Sequence, residues 1–141
     1  MHEFILKADL IDSFVAPLCI EKIAILFEDE YLLAINKPSG LLSLSGKNPL
    51  NKDSVHYRLV QQHPDIRLTH RLDFGTSGIM LLAKNKAVNA NLTKQFQARS
   101  VIKRYVSILA GEVLDNEGEI DLPIAKDTLL FPRLKICHQD G

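Results

Sequence analysis

Short apolar segments of strand length, separated by turn residues, dominate the first part of this sequence. Two of them, 23–27 and 31–35, flank the acidic turn 28–30, an arrangement typical of a β-hairpin. A third, 79–83, follows a polar stretch and has the character of a buried strand. Helical signals lie among these segments without forming a regular βαβ series. We therefore predict an α+β fold with a mixed, mainly antiparallel sheet and flanking helices and loops.

Two helices are predicted from capping residues and apolar spacing. Asp53 or Ser54 can cap a helix that runs to about His63 and is closed by the following proline. Asn85 can cap a second helix, whose apolar residues recur every four positions and form its inner stripe: Val88, Leu92 and Phe96.

The last third of the chain is predicted to be less regular. The segment 102–110 alternates enough to be a strand that ends at Gly111, and the acidic loop 112–118 follows it. Beyond the loop we expect one short strand. The 141 residues fit a single domain, which we place at 23–141 behind a lead-in segment at 1–22.

The composition is that of an ordinary globular protein, with 46% hydrophobic and 24% charged residues. No apolar run approaches the roughly 20 residues of a membrane span, so we expect no membrane partner. Cys19 and Cys137 form no CxxC pair and have no metal-ligand spacing. We therefore expect no metal site and a reducing, cytoplasmic setting.

The charges are unevenly distributed although the formal net charge is zero. The interval 74–111 contains no acidic residue, and its basic residues are Lys84, Lys86, Lys94, Arg99, Lys103 and Arg104. A basic stretch on a neutral chain can attract phosphate groups. The alternative is a solvated face that nearby acidic residues balance in the fold.

The polar segment 69–78 is the strongest candidate for a functional loop. It combines the acid Asp73 with Arg71, two hydroxyl residues and two glycines, directly before a buried strand. We expect the hydroxyls of Thr76 and Ser77 to hold free backbone groups of the loop, and His70 to order it through hydrogen bonds. The alternative is a well-capped turn without function.

Two similar motifs do not fit this loop. The letters His-Arg-x-Asp and Asp-Phe-Gly are separate segments in protein kinases, whereas here they share Asp73. Aspartic proteases use two carboxylates that share a proton, and only one candidate carboxylate occurs in this loop.

Four spaced segments together resemble the RluA family of pseudouridine synthases, in its short subclass without an S4-like module. They are Asn36-Lys37-Pro38-Ser39-Gly40, the run His70-Arg71-Leu72-Asp73 with Thr76-Ser77-Gly78 and Ala83-Lys84, Phe96 with Lys103-Arg104-Tyr105 and Gly111, and residues 120–141 with Asp121-Leu122-Pro123-Ile124. The resemblance covers residues 23–141. It implies an enzyme that isomerises uridines in structured RNA (23S ribosomal RNA or a tRNA anticodon stem-loop) without a cofactor or metal.

The resemblance also implies a role for individual residues. Asp73 is the catalytic carboxylate, which either attacks covalently or removes a ribose proton. Arg71 fills the space that the flipped uridine leaves in the RNA, and Tyr105 stacks on the flipped uracil. The implied phosphate contacts are Lys84, Lys94, Arg99, Lys103 and Arg104.

The sequence departs from the family pattern in one respect. The family continues with a segment like Gly-Arg-Thr/Ser-His-Gln-Leu-Arg, whose arginine pairs with the catalytic aspartate, and no such segment precedes Gly141. We therefore expect an incomplete catalytic domain with little activity alone and a tendency to self-associate. The competing hypotheses are an RNA-binding module without catalysis and an α+β interaction domain without RNA.

Overall fold

A computed structural model describes residues 14–127, 129–130 and 133–138. The chain divides into two compact units. One unit comprises residues 15–102, and the described residues from 103 onwards belong to the other.

The unit 15–102 is built on one four-stranded sheet. Its strands are β1 (Ala24–Glu28), β2 (Leu32–Lys37), β3 (Arg67–Leu68) and β4 (Gly78–Ala83), and its helices are α1 (Val55–Leu59), α2 (Lys86–Gln97) and a 3-10 turn at Pro49–Asn51. The strand order is β1-β2-β4-β3, and every neighbouring pair is antiparallel. The predicted α+β class with a mainly antiparallel sheet is confirmed.

The predicted hairpin is formed by β1 and β2. Its turn is stabilised by Asp29, whose Oδ1 accepts hydrogen bonds from the backbone N–H groups of Tyr31 and Leu32, both at 2.8 Å. These two bonds hold the pKa of the Asp29 carboxyl below its usual value. Beyond the turn, a register shift between Ile25 and Phe27 marks a bulge in β1.

The core lies on one face of the sheet, where the alternation of β2 places every second side chain. Leu33 and Ile35 are fully buried there, together with Met80 and Leu82 of β4. The other members of the buried cluster come from the loops and α1: Leu41, Val55, Leu59, Ile66 and Leu72. The two central strands and the loops that follow them therefore share one apolar core.

Both predicted helices are present, and one is shorter than expected. Ser54 caps α1 by accepting a hydrogen bond from the backbone N–H of Tyr57, but the helix ends at Leu59 and not at His63. Residues 60–62 form a turn, in which the N–H groups of Gln62 and His63 both donate to the Leu59 carbonyl. Pro64 then disfavours helical geometry at His63.

The second helix, α2, begins as predicted at its capping residue. The Asn85 side chain accepts a hydrogen bond from the backbone N–H of Val88 at 2.9 Å. Val88, Leu92 and Phe96 are all half-buried, which confirms them as the inner stripe of the helix.

The lead-in segment has no regular secondary structure over residues 14–23. Arg58 of α1 holds this segment, because its guanidinium donates to the backbone carbonyls of Cys19 and Glu21. The same guanidinium binds the Asp53 carboxylate with two nitrogens. A further bond joins the Ala16 N–H to the Asn51 side chain at 2.8 Å.

The other unit corrects two predictions. The segment 102–110 forms no strand, and it pairs with no described strand. Its apolar side chains Val106 and Ile108 are fully exposed. Alternation alone cannot hold a strand whose backbone groups have no partner. Instead of one short strand after the acidic loop, there are two, β5 (Ile124–Lys126) and β6 (Leu134–Ile136), paired antiparallel.

Within the described ranges, no helix combines the length and the apolar character that a membrane crossing requires.

Candidate active-site loop

The predicted functional loop connects β3 to β4 and lies beside the end of β2. In the register of the sheet, Lys37 at the end of β2 is opposite Gly78 at the start of β4. The antiparallel arrangement therefore brings two connections to the same end of the sheet. One is the segment 38–43, which we call the Pro38 loop. The other is the segment 69–77, which we call the Asp73 loop.

Hydrogen bonds join the two loops directly. The backbone N–H of Gly40 donates to the Phe74 carbonyl at 2.9 Å. The Ser39 hydroxyl donates to the Gly75 carbonyl at 2.8 Å. The two residues that follow Asp73 are therefore held by the Pro38 loop.

A buried lysine also joins the Pro38 loop to the Asp73 loop. Lys37 has no exposed surface, and its Nζ donates to three backbone carbonyls: Pro38 at 2.9 Å, Leu41 at 2.6 Å and Phe74 at 3.2 Å. An ammonium group has three N–H donors, so three carbonyls match its full donor set. One cation thereby binds both loops.

Burial and nearby charge act in opposite directions on this group. Desolvation lowers the pKa of Lys37 from its usual value, while the charges of Cys19 and Asp73 oppose that change.

A second buried contact fixes the residue before Asp73. The Ser43 hydroxyl donates to the Leu72 carbonyl at 2.6 Å and accepts from the Leu72 N–H at 3.2 Å. The Leu72 side chain is buried in the core, whereas Arg71 and Asp73 on either side are exposed. The loop therefore presents a cation and a carboxylate around one anchored residue.

Glycines are required at two turning points of these loops. Gly40 has φ +76° and Gly78 has φ +128°, and both values fall in the region that residues with a Cβ rarely adopt. Gly40 donates the bond to Phe74 described above, and Gly78 leads the chain out of the Asp73 loop into β4. Gly75 has no positive φ, so of the two glycines predicted in the loop only Gly78 needs that freedom.

The hydroxyls predicted to order the loop do not do so. Within the described residues, the side chains of Thr76 and Ser77 form no hydrogen bond to it, and only the Thr76 backbone N–H closes a turn onto the Asp73 carbonyl at 3.1 Å. The reason is competition, because Ser39, Ser43 and Lys37 already occupy the loop carbonyls. His70 bonds outside the loop, since its Nε2 accepts a bond from the backbone N–H of Leu81 in β4 at 3.1 Å, and its role in ordering the loop stays a prediction.

Sequence reasoning missed Lys37 and Ser43 as supports of the site. The sequence marks Lys37 only as a member of the segment 36–40. Its position was informative, because it continues the buried series Leu33, Ile35 in steps of two along β2, which points it into the core. No comparable signal exists for Ser43, whose role depends on contact between distant segments.

The basic residues predicted to contact phosphate differ in their surroundings. Lys84 binds the Glu28 carboxylate and the Asp29 carbonyl, each at 2.7 Å, and this contact lowers the pKa of Glu28. Lys94 and Arg99 are exposed on and just after α2. Of these three cations, only Lys84 forms an ion pair with a described residue.

Three further predicted residues lie in the other unit. Lys103, Arg104 and Tyr105 are exposed and lie outside any helix or strand, with 62% of the Tyr105 surface accessible. The placement of Tyr105 beside Asp73 therefore stays a prediction.

The sequence matches a family of known proteins over most of its length. Residues 31–140 match the RNA pseudouridylate synthase family. The chain belongs to that family, since the match covers most of its length and includes both loops. Strand β1 lies outside the match.

The sequence is similar to curated proteins named dual-specificity RNA pseudouridine synthase RluA. It is 50% identical to the one from Vibrio parahaemolyticus over 117 residues, which is 83% of this chain and 47% of that protein. It is 39% identical to the one from Escherichia coli over 119 residues, or 84% and 54% of the two chains. The chain thus spans about half the length of the curated relatives it matches.

A solved structure, Human RNA Pseudouridylate Synthase Domain Containing 1, is 28% identical to this chain. The similarity covers 59% of this chain and 31% of the human one, with a TM-score of 0.44.

Replacing the buried cation tests the junction of the two loops. Lys37→Met keeps an unbranched side chain of similar length but removes the donor to three carbonyls. The Phe74 carbonyl keeps its bond from the Gly40 N–H, whereas the Pro38 and Leu41 carbonyls lose this donor, and each unsatisfied group costs about 1–3 kcal/mol. We expect the free energy of unfolding in urea to fall by roughly 3 kcal/mol or more. Lys86→Met, at an exposed position of α2, is the matched control and should change stability by under about 0.5 kcal/mol. Equal effects of the two substitutions would contradict this role.

Proposed function

We propose that this chain is the aspartate-bearing part of an enzyme that converts uridine to pseudouridine in RNA. The observation that carries the proposal is the Asp73 loop, in which an exposed carboxylate follows a residue anchored in the core and precedes two residues bound by the Pro38 loop. Family membership and the similarity to RluA proteins support it.

The reaction exchanges one bond of the ribose for another. The bond between C1′ and N1 of uracil breaks, the base turns, and a bond between C1′ and C5 forms; C5 loses a proton and N1 gains one. Such an isomerisation needs no redox partner and no phosphate donor. Asp73 acts either by forming a covalent bond with the substrate or by removing a ribose proton, and both routes require its carboxylate to be held beside the sugar.

Arg71 and Tyr105 are proposed to handle the flipped nucleotide. Removing a base from its stack costs a few kcal/mol, and Arg71 is exposed two residues before Asp73, where it can fill the vacated space. Stacking on an aromatic ring contributes about 1–3 kcal/mol per base. We assign that role to Tyr105, whose ring is largely exposed.

The proposed substrates are structured RNAs, namely 23S ribosomal RNA and the anticodon stem-loop of tRNA. The words "dual-specificity" in the names of the relatives support more than one target. Phosphate contacts are assigned to Lys94, Arg99, Lys103 and Arg104, with Lys84 the least available because it is bound to Glu28. We place the reaction in the cytoplasm.

The isolated 141-residue chain is proposed to have little activity. Asp73 has no ion pair with any described residue, whereas the family pattern supplies an arginine to it. An RNA-binding chain without turnover is therefore the second candidate function for these 141 residues by themselves.

The first experiment addresses the carboxylate. In the longest protein product that contains this sequence, Asp73→Asn should abolish tritium release from RNA labelled at C5 of uridine, because the amide can neither attack nor accept a proton. RNA affinity should remain within about twofold, since phosphate contacts dominate binding. Asp65→Asn, an exposed carboxylate outside the loop, is the control. Turnover that survives Asp73→Asn would refute the catalytic role. Salt-dependent binding without isomerisation by the parent protein would favour the binding module.

The second experiment separates binding from stability at Arg99. This residue follows α2 with φ +53°, and it closes the helix through bonds from Arg99 and Ser100 to the carbonyls of Phe96 and Gln95. Glycine is favoured at such a position, so Arg99→Gly should raise stability by up to about 1 kcal/mol.

The same substitution removes a proposed phosphate contact. RNA affinity should therefore fall, and the slope of log affinity against log salt should decrease by about 0.7–0.9. Lys22→Gly, an exposed lysine outside the basic interval, should leave that slope unchanged. If Arg99→Gly stabilises the protein and leaves the salt slope unaltered, Arg99 is not a phosphate contact.

The third experiment concerns self-association, which we propose for the isolated chain. Strand β1 is at the edge of the sheet and all five of its residues are exposed. Exposed apolar edge strands are sites of association. Sedimentation velocity should show concentration-dependent dimers, which Phe27→Lys should abolish. Leu50→Lys, at an exposed apolar position outside the sheet, should not. A parent chain that is monomeric at every concentration would contradict the proposal.

A further inference from the structure

Strand β3 pairs with β4 for only two residues. Arg67 lies opposite Ala83, and Leu68 lies opposite Leu82. In an antiparallel ladder the next pair would be Thr69 opposite Leu81. That pair is missing from the ladder, although the backbone groups of Leu81 still need partners.

Two side chains take the place of the missing backbone pair. The Thr69 hydroxyl donates to the Leu81 carbonyl at 2.6 Å, and the His70 Nε2 accepts from the Leu81 N–H at 3.1 Å. One residue of β4 is thus satisfied on both its donor and its acceptor by consecutive residues of the departing chain. Because side chains make these bonds, the backbone at 69–70 can leave the sheet without a cost in unpaired groups at Leu81.

The bond to His70 also fixes the chemical form of the imidazole. A backbone N–H can only donate, so Nε2 must carry a lone pair and the ring proton must be on Nδ1. The ring is held from its face as well, since it stacks on Phe96 of α2 with centroids 4.4 Å apart and planes at 26°. Sheet and helix therefore both determine where His70 lies.

We propose that Thr69 and His70 are positioning residues that release the chain from β3 and set the starting point of the Asp73 loop. This inference rests on the proposed function of Asp73. From His70 the chain reaches the reactive carboxylate in three residues, with Leu72 as the one anchored residue between them. A displacement of about 1 Å in a reacting group can cost up to 100-fold in rate. A shift of the backbone at Thr69 and His70 would therefore displace the Asp73 carboxylate and lower the reaction rate.

Matched substitutions separate the hydrogen bond from the packing. His70→Phe keeps a ring against Phe96 but has no acceptor, whereas His70→Gln offers an oxygen near the position of Nε2. Likewise Thr69→Val keeps the shape and loses the hydroxyl, whereas Thr69→Ser keeps the hydroxyl. In the longest protein product that contains this sequence, we expect His70→Phe and Thr69→Val to lower kcat about 10- to 100-fold with KM for RNA within twofold. There His70→Gln and Thr69→Ser should retain most of kcat.

An NMR measurement tests the same inference independently of turnover. In the parent chain, the ¹⁵N shifts of His70 at neutral pH should show Nδ1 protonated and Nε2 bare. In His70→Phe or Thr69→Val, the amide of Leu81 should exchange faster with solvent and the amide shifts of residues 71–75 should move. In His70→Gln and Thr69→Ser, the exchange rate of the Leu81 amide and the amide shifts of residues 71–75 should stay close to those of the parent chain.

The two sets of results distinguish the inference from the function on which it rests. A proton on Nε2, or loop shifts that do not respond to His70→Phe and Thr69→Val, would overturn the positioning pair even in an active enzyme. Rescue by Gln and Ser in the NMR experiment, together with no isomerisation by the longest parent protein, would support the pair and refute the proposed function. If His70→Phe does not fold, the Thr69 variants decide the question.

Discussion

One buried ammonium group holds together the two loops on which the candidate site depends. Lys37 donates to carbonyls of the Pro38 loop and to Phe74 of the Asp73 loop, with no surface exposed to water. Burying a charge is costly unless its hydrogen-bonding capacity is filled. Here the ammonium group donates to three backbone carbonyls, so charge and carbonyls stabilise one another. Neither loop can move without breaking that set of bonds.

The Asp73 loop is ordered almost entirely from outside itself. Ser43 binds both backbone groups of Leu72, Ser39 binds Gly75, and Thr69 with His70 binds β4 where the chain leaves the sheet. These supports act on the backbone, so the side chains of Arg71 and Asp73 remain exposed. Such preorganisation lets a carboxylate be placed beside a substrate without ordering the loop during binding.

Local signals in the sequence predicted the elements that depend on local interactions. The hairpin of β1 and β2, the buried strand β4 and the capping of α2 by Asn85 are all present, because turn, apolar run and cap each act within a few residues. Predictions failed where a partner was needed. The segment 102–110 alternates like a strand yet has no strand beside it among the described residues. Thr76 and Ser77 suit a loop-ordering role, but serines from the Pro38 loop and a lysine already bind its carbonyls.

The sequence by itself determined the family, the identity of the candidate carboxylate and the class of the fold. These follow from residue types at fixed spacing, which a linear pattern records. Tertiary structure alone decided that Lys37 is buried with its Nζ bound to carbonyls of both loops, that Ser43 binds the backbone of Leu72, and that His70 is an acceptor for Leu81. Each of these contacts joins a loop to another strand or loop, and the register of β2 against β4 brings them to one end of the sheet. Register is a property of paired strands, so no single segment of the sequence contains it.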